Sequence, residues 1–134
     1  MAKQANNSIP VLIYRYQGPK RNIGFHLSPF NKEENQTEIS FKDMLFIYNE
    51  DFNYIRPLLD KRFPLIHPYT METMNQFDPC WDNPIGKEIW VDILAELQQQ
   101  NVEEEELQLF LQQFHTWISE RLQSAEGIEV TGNL

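Results

Sequence analysis

Polar residues take five of the first eight positions, with only Met1, Ala2 and Ala5 apolar, and apolar density then rises abruptly. Ile9 to Tyr16 (IPVLIYRY) is crowded with β-branched and aromatic side chains, which predicts a strand. Gln17 to Asn22 contains Gly18-Pro19 and predicts a turn, because those two residues supply the backbone angles a reversal needs. Ile23, Phe25 and Leu27 alternate with Gly24, His26 and Ser28, a period of two that predicts a second strand. Together these predict a β-hairpin over residues 10–28, followed by a charged loop over 29–37.

Beyond it the period changes. Ser40, with Asp43 three residues on, forms a weaker capping box, and Phe41, Met44, Leu45 and Tyr48 share one helical face. A helix is expected there, and a second, short one over Phe52 to Arg62 that Pro57 either kinks or starts. Phe63 to Gln76, interrupted by Pro64 and Pro68, reads as an ordered connection. Asn83-Pro84 predicts a helix start, with Asn as cap and Pro at the first helical position. Ile85, Ile89, Trp90, Ile93, Leu94 and Leu97 then make an apolar stripe. Asn101 caps a further helix whose first turn holds Glu103 to Glu106, carboxylates that suit the positive end of the helix dipole. Its stripe runs from Leu107 through Phe110, Leu111, Phe114, Trp117 and Ile118 to Leu122, and Gly127 marks the stop. The link over 98–101 is tight, so the two helices pack antiparallel. The expected fold is α+β and predominantly helical, an N-terminal β-hairpin on a C-terminal antiparallel helical pair. If 10–28 does not pair, the expectation becomes all-α. A single domain spans 1–134, with 1–8 and 128–134 loose.

Composition narrows the function. Aromatic residues are 13% of the 134, enough to bury a core. No apolar run reaches the roughly 18 residues of a membrane span, and the N-terminus has no secretory hydrophobic region, so a cytoplasmic location is expected. The net charge of −9 is unevenly placed. Residues 1–70 carry nine basic and seven acidic side chains, net +2, whereas 71–134 carry two basic and thirteen acidic, net −11. A field of that sign repels phosphate backbones and attracts cations, which argues against nucleic acid and for a basic protein partner; acidity that serves only solubility is equally consistent.

Catalytic chemistry finds little support. His26, His67 and His115 are scattered, Cys80 has no His near it in sequence and reads as a small buried residue, and the five glycines form no phosphate loop. No catalytic residue, metal site or cofactor is expected. The densest cluster is Gln76 to Trp90 (QFDPCWDNPIGKEIW), where Asp78, Trp81 and Asp82 combine charge with aromatic surface as interface hot spots do. A second strip, Tyr48 to Tyr54, offers Glu50, Asp51 and Tyr54 as either a capped turn or a contact loop. Glu103 and Glu104 are the third candidate, a solvated helix start or an anionic patch.

The stretch Phe77-Asp78-Pro79-Cys80-Trp81-Asp82-Asn83-Pro84-Ile85, with Trp90 following, resembles the aromatic-Asp-x-Cys-x-Asp/Asn pattern of small acidic bacterial immunity proteins. These accompany toxins of contact-dependent growth inhibition and related polymorphic toxin systems. The resemblance covers roughly residues 41–98. It implies an immunity protein that binds and neutralises a cognate toxin C-terminal domain, typically a basic nuclease. An adaptor or structural interaction domain without a toxin is the alternative, and the oligomeric state is open.

Overall fold

In the computed structural model, residues 9–19, 23–31 and 41–134 are described. In chain order these form β1 (Gly24–Phe30), a 3-10 turn (Phe41–Asp43), β2 (Leu45–Tyr48), α1 (Asn49–Phe52), α2 (Arg56–Asp60), β3 (Leu65–Ile66), β4 (Thr73–Met74), β5 (Asp82–Gly86), α3 (Lys87–Gln99), α4 (Glu105–Leu122) and β6 (Gly127–Gly132). Four strands make an antiparallel sheet in the order β2-β1-β6-β5, and β3 and β4 form a separate small hairpin. The protein is therefore mixed α/β, and neither the predominantly helical architecture nor the all-α alternative holds.

The N-terminal hairpin is also absent. β1 pairs with β2 on one side and β6 on the other, so neither of its edges is left for residues 9–16. That segment instead runs parallel to the outer edge of β2, with Leu12 N donating to Phe46 O at 3.0 Å and Phe46 N to Pro10 O at 2.9 Å. Both segments are extended, as their side chains require, but pairing is decided by which apolar faces align. Phe25 and Leu27 meet Ile47 and Leu45 on one side and Gly132 and Val130 on the other.

Three further expectations change for related reasons. The helix expected from Ser40, a residue outside the described ones, is replaced over 41–48 by the 3-10 turn and β2, whose four residues are all buried; a run apolar on both faces satisfies a helical template by coincidence. Asn83-Pro84 lies inside β5, and α3 begins at Lys87 after an extended Gly86. The tail beyond residue 127 is the interior strand β6, with Ile128 and Val130 fully buried.

The helical pair itself follows its stripes. Trp90 and Ile93 of α3 and Phe114 and Ile118 of α4 are wholly buried, and both helices pack on β6. Trp90 Nε1 donates to Ile128 O at 3.0 Å, which satisfies the one polar atom of a large buried ring. Phe25 stacks on Phe52 at 4.3 Å, and Phe77 joins them at 5.7 Å from Phe25, tying the connection before β5 to the core. Pro57 sits in the first turn of α2, the place where its missing N–H costs nothing.

Candidate functional site

The 78–82 segment is shaped by one buried side chain. Asn83, 2% exposed, accepts from Asp78 N at 2.8 Å through Oδ1. Its Nδ2 donates to Asp78 O at 2.8 Å, Trp81 O at 3.2 Å and Val130 O at 3.0 Å. The turn closes further where Asp78 Oδ1 accepts Cys80 N at 2.9 Å, an Asx turn. Gly132 N donates to Trp81 O at 3.1 Å, and the close passage of Pro79 leaves no room for a Cβ at Gly132. With its backbone held on three sides, Trp81 projects outward and is 68% exposed.

Around it lies a cleft of about 380 Å³. β5 and β6 contribute Asp82 and Glu129, the turn contributes Asp78 and Trp81, and the small hairpin contributes His67 and Met74. Asp82 accepts a hydrogen bond from Thr131 Oγ1 at 2.8 Å, across the strand pair. Burial pushes the Glu129 carboxyl above its ordinary value, and the nearby Asp82 charge adds to the shift. His67 Nδ1 accepts the amides of Tyr69 (3.1 Å) and Thr70 (3.2 Å), so this nitrogen carries the lone pair and Nε2 the proton. Among the described residues the lining thus holds three carboxylates and no Lys or Arg. Ile66, Tyr69 and Met71 stand exposed on the same hairpin that supplies His67.

The other candidates are placed differently. Asp51 is 1% exposed, and its carboxylate is consumed internally. Oδ2 accepts Tyr14 N at 2.8 Å and Tyr16 N at 3.3 Å, and Oδ1 accepts Arg15 N at 2.9 Å. Tyr54 is partly exposed but packs edge-on against Tyr14, ring centroids 4.9 Å apart. Glu104 accepts the Tyr14 hydroxyl and pairs with Arg15, whose guanidinium also reaches Glu106 at 3.5 Å. Asp51, Tyr54 and Glu104 therefore form a clip that fastens residues 14–16 to α1 and to the start of α4. Glu50 on α1 and Glu103 before α4 are exposed and lie outside the cleft. The second helix starts later than its sequence suggests, with Glu104 as its N-cap residue making no side-chain cap bond.

Cys80 is exposed, and its thiol donates to Leu134 O at 3.1 Å, a contact that requires the protonated sulfur. His115 and Ser119 are 3.3 Å apart on α4, in mid-helix, where backbone amides are committed to the helix. Burial lowers the affinity of His26 for a proton, and its ring lies against Phe46. Among the described residues no group of three His, Cys, Asp or Glu converges to hold a metal ion, and no helix is long and apolar enough to cross a membrane.

Sequence reasoning missed Glu129, His67 and Met74. Glu129 was legible in principle, since Ile128 and Val130 alternate with Glu129 and Thr131 directly after Gly127. His67 and Met74 reach the cleft only because the small hairpin folds beside the sheet. Compared with family models, curated proteins and solved structures, the chain matches none of them.

Proposed function

We propose that the chain is an immunity protein that binds and neutralises a basic bacterial toxin domain in the cytoplasm, with the Trp81 cleft as its contact surface. The observation that supports this reading is the exposed Trp81 beside Asp78, Asp82 and Glu129, in a cleft to which the described residues contribute no Lys or Arg. An exposed Trp on a turn whose backbone is hydrogen-bonded before binding is an anchor that costs little backbone entropy on contact. The carboxylates draw in a basic surface and accelerate encounter, while the ring slows release. A nuclease domain, whose cations serve a phosphate backbone, presents such a surface.

The test is to express the C-terminal domain encoded immediately upstream, with and without this chain. The expected result is killing that the chain relieves, co-purification of the pair, and loss of affinity by at least about thirtyfold on Trp81→Ala. A harmless neighbour, or relief that Trp81→Ala and Asp82→Lys leave intact, overturns the reading and leaves an adaptor domain as the alternative.

A further inference from the structure

On the side of α3 and α4 away from their wholly buried residues, the helix seam is open. Two hollows of about 400 and 410 Å³ share Gln98 and His115 and so form one groove along the seam. Its floor is Leu94, Leu97, Leu111 and Leu122, which keep 5–7% exposure while Trp90, Ile93, Phe114 and Ile118 keep none. Glutamines line the walls, and Val91 stands half-exposed in the lining. Apart from His115, the one ionisable group in the lining among the described residues is Lys87.

We propose that this groove receives a second copy of the chain, in a two-fold antiparallel helix-pair dimer. Charge selects the occupant. Two molecules of net −9 repel over most orientations, and the seam is a face where copies meet without opposing carboxylates. The few charges present are complementary. Glu105, Gln108, Gln112, His115 and Ser119 lie on one stripe of α4, spaced three and four residues apart, so Glu105 extends the groove wall at the end opposite Lys87. Both Lys87 and Glu105 are exposed and have no ion-pair partner among the described residues. A two-fold axis across the seam places Lys87 of each copy over Glu105 of the other, and closed symmetry makes the contact twice.

Size sets the strength. An 18-residue α4 is about 27 Å long and two helices are roughly 20 Å wide, giving on the order of 500 Å² per copy, the lower limit of a specific interface. The dimer is accordingly weak. It leaves the Trp81 clefts on the far side of each sheet, so it neither uses nor depends on the toxin-binding reading.

Sedimentation velocity on the full chain from about 5 to about 500 µM tests this. The expected result is a mass rising from 16.0 kDa toward twice that value. Gln98→Glu with Gln112→Glu should hold the chain monomeric, with circular dichroism confirming the fold. Lys87→Glu and Glu105→Lys should each weaken association by about tenfold, and the double exchange should recover it. A monomer throughout, or a dimer indifferent to these changes, overturns the proposal. So does a monomer whose seam variants instead lose a partner protein, since the groove then belongs to that partner.

Discussion

The carboxylate of Asp51 accepts the backbone N–H of Tyr14 at 2.8 Å across 37 residues of chain, with the amides of Arg15 and Tyr16 on the same two oxygens. A buried anion with three amide donors acts as a cap for a segment that has only a brief strand ladder of its own. Replacing it orphans those donors. Asp51→Ala should cost about 3 kcal/mol by denaturant unfolding and should make residues 9–16 sensitive to protease. A loss below about 0.5 kcal/mol would show that the clip contributes nothing. Affinity of the folded variant for the proposed toxin partner should be unchanged, because the clip lies outside the Trp81 cleft.

Asn83 is the corresponding device for the 78–82 turn. Asn83→Ala removes four hydrogen bonds and should destabilise by about 2–3 kcal/mol. Asn83→Asp should be worse, since carbonyls that accepted Nδ2 then face a carboxylate. Heteronuclear relaxation should report a more mobile 78–81 backbone in the Ala variant, and unchanged order there would refute the turn-locking role.

The two central tryptophans should separate cleanly. Trp90→Ala opens a cavity and should cost about 3–5 kcal/mol of stability. Trp81→Ala should cost less than about 0.5 kcal/mol of stability while removing about 2 kcal/mol or more of binding. Similar stability losses for both would mean that Trp81 packs in a core.

Glu129 offers a pH test with a definite sign. Its folded carboxyl titrates above the ordinary value, so the proton is held more tightly in the folded state. That contribution to stability is complete below the unfolded pKa and is lost as pH rises through the folded one. Glu129→Gln should therefore stabilise the protein at pH 7 and leave it nearly unchanged near pH 4. A basic partner favours the charged carboxylate, so the same variant should bind more weakly. Equal thermal midpoints for variant and parent at pH 7 would remove the burial argument.

Charge reversal should discriminate between surfaces. Reversing Asp78 and Asp82 should weaken binding of the proposed toxin partner more than reversing Glu103 and Glu104, since Glu104 already serves Tyr14 and Arg15. Association should slow steeply with added salt, and a flat response would exclude electrostatic steering.

By itself, the sequence determined what local chemistry can determine. The stripes of Trp90, Ile93 and Leu97 and of Phe110, Phe114 and Ile118 specify two helices whatever lies around them, because a helix fixes which residues share a face. The lopsided charge and the Asp78-Trp81-Asp82 cluster were likewise readable. The tertiary structure decided everything that depends on a distant partner. It made strands of Leu45–Tyr48 and Gly127–Gly132, because a strand is stable only once its neighbours supply hydrogen bonds and cover its faces. It turned Asp51 from a surface acid into an internal cap, since nothing local shows that residues 14–16 return to it. It also brought Glu129 and His67 to Trp81, joining three segments that no spacing along the chain connects.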